Sequence, residues 1–204
     1  MVTVTFGPVT ASEAKALASI HRQAFPGFFL SSLGEPFLTQ LYRGFAGDSS
    51  AITVVVRDQQ GIPRGAAVGT TEPAGFYRRL LKKRWPGFAV ASTRAAITNP
   101  TTVPRLLRAI SYRGEVPPTG QWAQFSSMCL DPSLQGSGVG RQLATSWLER
   151  AKAMGVTHAF LTTDADGNDA INRFHTAQGW RLAGEYVTRE GRRMNRYTTT
   201  FETR

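Results

Sequence analysis

A mixed α/β (α+β) fold in one domain is what this sequence predicts, and three observations carry the prediction. A hairpin-like pair of runs, β-branched over Ala51 to Arg57 and small-residue over Arg64 to Thr71, is turned at Gln59-Gln60-Gly61. A strand-like run, Gln124 to Leu130, feeds through a glycine-rich loop into a helix with Val139, Leu143, Trp147, Leu148 and Ala151 at helical spacing. After Gly155, a second apolar run, Val156 to Leu161, leads through the polar turn Thr162 to Asn168 into a helical stretch, Asp169 to Gln178. The 204 residues suffice for one well-cored domain, so 1-204 is read as a single unit.

The remaining elements follow in order. Val2 to Phe6 reads as a first strand. Thr10-Ala11-Ser12-Glu13 places helix-start residues ahead of Ala14 to Phe25, which carries Leu17, Ile20 and Ala24 on one face and is broken by Pro26-Gly27. A second helix is expected over about Pro36 to Gly44, with Phe37, Leu38, Leu41 and Tyr42. Gly179-Trp180 stops the late helix, as glycine just past a C-terminus does. The final strands are expected at Tyr186 to Val187 and Tyr197 to Phe201, joined through Arg189 to Arg192. Between hairpin and core strand lies a long connection, residues 73–118, with helices expected over Phe76 to Leu81 and Val103 to Ile110. It reads either as a cover over a ligand pocket or as a stabilising element or homodimer contact. Pro117-Pro118-Thr119-Gly120 ends it.

The glycine-rich loop points to a phosphorylated ligand. Glycines 136, 138 and 140 let the backbone turn tightly and approach a ligand, and the first helical turn offers free N–H groups and positive dipole. A Walker A loop would end in Gly-Lys-Ser/Thr, whereas Gly140 precedes Arg141-Gln142. A dinucleotide fingerprint would follow its strand directly as Gly-x-Gly-x-x-Gly, whereas Asp131 to Gln135 intervene and the spacing is Gly-x-Gly-x-Gly. An ordinary ligand-free strand-to-helix loop stays open at this point.

Gln135-Gly136-Ser137-Gly138-Val139-Gly140, after Leu130-Asp131-Pro132, resembles the acyl-CoA pyrophosphate loop Gln-x-x-Gly-x-Gly of the GCN5-related N-acetyltransferases (GNAT). A second motif has the same resemblance: Asn168, then seven residues on His175 where the family usually has Tyr, then Gly179-Trp180 in place of Gly-Phe. The resemblance covers about residues 120 to 187 well and the rest in outline. It implies a GNAT-like mixed, largely antiparallel central sheet flanked by helices, with 73–118 as a helical insertion. It implies acetyl-CoA (acyl-CoA) as co-substrate, a small primary amine as acceptor and no metal. Backbone groups of Met128, Cys129 and Leu130 would hold the pantetheine and polarise the thioester. Gln135, Gly136, Ser137, Gly138, Val139, Gly140 and Arg141 would hold the pyrophosphate. Asn168 would bond the pantetheine arm and Phe174 would pack beside it.

His175 would take the tyrosine's place as general acid toward the sulfur, its ordinary pKa lying nearer neutrality. For the general base, Glu35, Glu72, Glu115 and Gln124 with water are candidates by position alone. The stretch Phe28 to Gly34, with Phe37-Leu38, has some likeness to acetyltransferases acting on amino sugars. The alternative is a non-catalytic domain of the same fold that binds CoA or nucleic acid.

Composition bounds these readings. Charged residues are 19% and hydrophobic residues 41%, as in a folded globular chain. No apolar run approaches a membrane span, and Met1 to Phe6 lacks a signal-peptide core. The single cysteine, Cys129, suits the reducing cytoplasm and reads as a small buried strand residue. One cysteine and three histidines do not suggest a zinc site. The net charge of +10 raises nucleic acid, but the basic residues are dispersed, with clusters at Arg78 to Arg84 and Arg189 to Arg196, and a polyanionic co-substrate accounts for part of it. Nucleic acid is therefore not the expected partner.

Overall fold

The computed structural model describes residues 3–98, 121–188 and 190–201. The helix expected over Val103 to Ile110, the segment Pro117 to Gly120, Glu115 and Arg189 lie outside the described residues. Seven strands form one sheet: β1 (Thr5–Gly7), β2 (Ala51–Arg57), β3 (Pro63–Thr70), β4 (Trp122–Leu130), β5 (His158–Asp164), β6 (Arg181–Val187) and β7 (Arg193–Thr200), in spatial order β1-β2-β3-β4-β5-β7-β6. Every neighbouring pair is antiparallel except β4–β5. The sheet is thus mixed and largely antiparallel, flanked by helices on both faces.

The helices among the described residues are α1 (Ala14–Ala24), α2 (Phe29–Ser32), α3 (Glu35–Ala46), α4 (Phe76–Lys83), α5 (Trp85–Thr98), α6 (Val139–Ala153) and α7 (Asp169–Ala177). Helix α1 starts where Thr10 and Glu13 predict: Thr10 N–H donates to Glu13 Oε2 at 2.8 Å, satisfying a free donor ahead of the first turn. Burial opposes the Glu13 charge, but bonds from Arg57 (2.6 Å) and Thr10 outweigh it and hold the carboxyl below its usual range. One face of the sheet carries α1 and α3, with Leu17, Leu38, Tyr42, Val55, Val68 and Phe76 in its core. The other carries α6, with Trp147, Leu143, Ile52, Phe125, Trp180 and Tyr197. Trp147 is fully buried and its Nε1 donates to the Ile52 carbonyl at 3.1 Å. A Cβ on Gly69 would collide with the Gln124 carbonyl and the Trp147 ring, so only glycine lets β3 and β4 meet beneath that indole.

Several elements depart from their sequence reading. Val2 lies outside the described residues; of the rest of the expected first strand, Thr3 and Val4 stay outside it and the strand starts at Thr5, its three residues pairing with Val55 to Arg57. Helix α5, for which the sequence suggests no separate element, opens on Trp85-Pro86-Gly87, since proline is tolerated in a first turn, where its missing N–H has no intrahelical acceptor. Strand β5 runs on past Leu161 to Asp164, because its polar end pairs with Met194 to Arg196 of β7. Strand β6 starts at Arg181, well before Tyr186; it is an edge strand, and its largely exposed residues carry no apolar alternation to read.

Candidate active site

Strands β4 and β5 meet in parallel only at Trp122↔His158, Ala123↔Ala159 and Gln124↔Phe160, then diverge, although β4 continues to Leu130 and β5 to Asp164. Beyond Gln124, β4 has no strand partner on its β5 side among the described residues. Within the same strand the pairing with β3 skips Ser126: Val68 faces Ser127 and Gly69 faces Phe125. This bulge changes which way side chains point. Phe125 and Cys129, four residues apart, would share a face in a regular strand, but Phe125 belongs to the Trp147 core and Cys129 to the Leu17 core. Met128 and Leu130 pack against the Trp147 side. Ser126 Oγ is buried on this strand. Near it, burial pushes the Tyr77 phenol of α4 up, with Ser126 acting weakly in the opposite direction.

Cys129 Sγ lies 3.2 Å from Tyr42 Oη, which lies 3.1 Å from His21 Nδ1. All three are buried. Burial pushes the Cys129 thiol and the Tyr42 phenol up and pulls His21 down to about 4. The cysteine is the small buried strand residue the sequence suggests.

The loop from β4 to α6 is anchored at both ends. Asp131 Oδ1 accepts from Ser133 N–H at 2.9 Å, and the Asp131 carboxylate pairs with Arg64 at 3.2 Å. Leu134 inserts into the Trp147 core. Between Leu134 and the buried Val139, Gln135, Gly136, Ser137 and Gly138 are exposed, and Gly136 and Gly138 have φ of 76° and 84°. Gly138 caps α6, Val139 is buried beneath it and Arg141 is exposed on the first turn. The N–H groups of this turn have no intrahelical acceptor by helix geometry.

Helix α7 is tied to the end of β5. Asn168 Nδ2 and Asn172 Nδ2 donate to the Asp164 carbonyl at 3.4 and 3.2 Å, and Thr163 Oγ1 donates to Asn172 Oδ1 at 2.6 Å. Phe174 is half-buried and its ring meets His175 edge-on. His175 is buried among Phe125, Trp180 and Tyr197; its Nδ1 has no hydrogen-bond partner, and burial pulls its pKa down to about 4. Ile171, which sequence reasoning did not single out, is 44% exposed on α7. An open groove lined by Asp169, Asn172, Arg173, Thr176, Ala177 and Tyr197 includes none of the loop residues.

The base candidates are spread apart. Glu35 faces Arg22 at 3.9 Å, Glu72 binds Arg79 at 2.7 Å, and Gln124 sits on β4 where the splay begins. Among the described residues no group of three His, Cys, Asp or Glu converges.

This arrangement defines a mixed α/β protein whose sheet opens between two parallel central strands, with a glycine loop and helix N-terminus at the opening. The model of the acetyltransferase (GNAT) family matches residues 16–180. The fold is similar to that of a protein assigned to the GNAT family from Desulfovibrio desulfuricans, with a TM-score of 0.64, 14% identity, and 97% of this chain and 99% of that one covered. Ard1 from Thermoplasma volcanium gives 0.63, 12%, 99% and 100%. The yncA protein of Salmonella typhimurium, solved with its cofactor acetyl-CoA, gives 0.59, 13%, 99% and 96%. At these identities the likeness is one of fold. No curated protein sequence matches the chain. The chain belongs to the GNAT acetyltransferase family.

Proposed function

We propose that residues 1-204 act as one acetyl-CoA-dependent N-acetyltransferase domain whose acceptor is a primary amine of a small molecule, with amino sugars as the class to test first. The observation that carries this reading is the opening of β4 from β5 directly ahead of the exposed, positive-φ loop Gln135 to Gly138. An extended arm fits beside an unpaired strand edge, and a pyrophosphate fits the free N–H groups of a helix start. The co-substrate supplies an activated acetyl carbonyl. In this reading Met128, Cys129 and Leu130 hold the pantetheine through their backbone groups, since their side chains are committed to the two cores. Gln135 to Gly140 hold the pyrophosphate, Arg141 adds positive charge, and Asn168, Ile171 and Phe174 line the arm from α7. Tyr77 and Ser126 border the acceptor side at the bulge.

The acceptor nitrogen must first lose a proton; the N–C bond then forms, the C–S bond breaks, and a proton finally reaches the sulfur. With a pKa near 4, His175 is neutral at pH 7. It therefore serves as a hydrogen-bond donor that orients the leaving sulfur, and the proton comes from the amine through solvent. Gln124 orients the water that takes the amine's proton.

The experiment is calorimetry with CoA followed by free-thiol release across amino sugars, polyamines, aminoglycosides and peptide N-termini. Binding with release on one amine class is expected. Binding without release on any amine favours a non-catalytic CoA-binding domain, and absence of CoA binding rejects both.

A further inference from the structure

Lys and Arg occur along the whole sequence, but their excess over Asp and Glu falls in one stretch of it. Between Glu72 and Glu115 the chain carries nine basic residues and no acidic one, while the other 15 Lys and Arg face all 14 Asp and Glu. The insertion holds nearly all of the imbalance. The two basic clusters of the sequence also differ in what faces them. At the β6–β7 hairpin, Arg192 pairs with Asp164 at 2.6 Å and Arg193 pairs with Asp166 and Glu185 at 2.9 Å. On α4, Arg79 alone meets carboxylates, those of Asp48 and Glu72. Arg78 and Lys82 are exposed and take part in no ion pair among the described residues. Phe76 and Leu80 hold the inner side of this helix in the core. Directly after its basic turn comes Trp85, 67% exposed, then exposed Pro86 and Val90, 74% exposed.

We propose that the α4–α5 face of the insertion docks on an anionic lipid surface. Cations seek the phosphate and carboxylate headgroups, and an indole beside them settles at the boundary between headgroups and acyl chains. A nucleic acid would satisfy the same cations and could stack a base on Trp85, but exposed Val90 and Pro86 after it add no stacking surface, whereas both suit a hydrocarbon boundary. The docking requires no feature of the acyl-transfer site.

The test is flotation of the whole chain with phosphatidylserine-rich vesicles, with pure phosphatidylcholine vesicles and with a mixed-sequence RNA oligonucleotide, at low and raised salt. Binding to the first, little to the second and weakening with salt are expected. Arg78→Glu with Lys82→Glu should weaken vesicle binding by more than about thirty-fold, since each cation near an anionic membrane is worth about 1 kcal/mol and reversal adds repulsion. Trp85→Ser should abolish the binding that survives raised salt. Circular dichroism checks the fold; if the double reversal unfolds, Arg78→Gln with Lys82→Gln replaces it, with about a five-fold loss expected per removed cation. Equal binding to both vesicle types, RNA binding without vesicle binding, or charge variants that bind like the parent would overturn the proposal.

Discussion

The two faces of the sheet each bury a histidine, and they treat it differently. Beneath α1 and α3, His21 is bonded to Tyr42, which reaches Cys129 on β4, so helices and strand are tied by a satisfied polar chain. Beneath α6 and α7, His175 sits among Phe125, Trp180 and Tyr197 with Nδ1 unpaired. Burial lowers both rings to about 4 for the same reason, loss of water around the charged form. Equal pKa values therefore do not mean equal roles. A satisfied buried histidine is explained by packing, whereas an unsatisfied one calls for another reason, and it lies on the helix that follows the splayed strands.

The largest effect is expected on acidification. Both rings have folded pKa values near 4 against 6.5 for a free histidine, so the unfolded chain binds more protons between those values. Their contribution is complete above pH 6.5, is lost as the pH falls through that window and is gone below about 4. Each ring accounts for on the order of 3 kcal/mol, read by denaturant midpoints across the window. His175→Phe should remove about half of the slope; a profile flat in the parent protein would break the pairing of the two histidines.

Next come the packing variants. Trp147→Ala should cost about 3–5 kcal/mol in chemical denaturation, as a large cavity forms in the aromatic core. Tyr42→Phe should cost less, about 1–3 kcal/mol, through the unpaired His21 and Cys129 it leaves. Equal losses from the two would show that the polar chain does no less than the indole in holding its face.

Smaller in stability but larger in binding is Gly138→Ala. With φ at 84°, a side chain there costs about 1 kcal/mol. Calorimetric CoA affinity should nevertheless fall about ten-fold, because the displaced loop misaligns several N–H groups each worth about 1 kcal/mol or more. Unchanged affinity would remove the loop from the site. The smallest change is expected in the kinetics of His175→Phe. Loss of one neutral hydrogen bond should lower turnover by about five-fold with the pH profile unchanged. A loss of about a hundred-fold or more would instead indicate proton transfer by the ring.

Much of this was legible in local residue order. Helix α6, the hairpin β2–β3 and helix α7 announce themselves through spacing and stop signals, and Gly136 and Gly138 mark a loop that needs positive φ. The length of β6 was not legible, because an exposed edge strand has no apolar alternation. Neither was the bulge at Ser126, since a bulge depends on how β3 pairs with β4 and leaves no residue pattern of its own. His175 shows the limit at a single position. Its residue type suggested a titration near neutrality, and the aromatic cage supplied by β4, β7 and Trp180 moved it to about 4.

Local order alone therefore determined the glycine loop, the helix that follows it and the Asn168-to-Trp180 motif, because each depends on residues within a few neighbouring positions, and their resemblance to a known family pointed to the rest. Tertiary structure decided where β4 leaves β5, which core receives Cys129, which histidine is left unpaired and which basic cluster finds carboxylates. Those are set by strand register and burial, which bring together residues far apart in the chain.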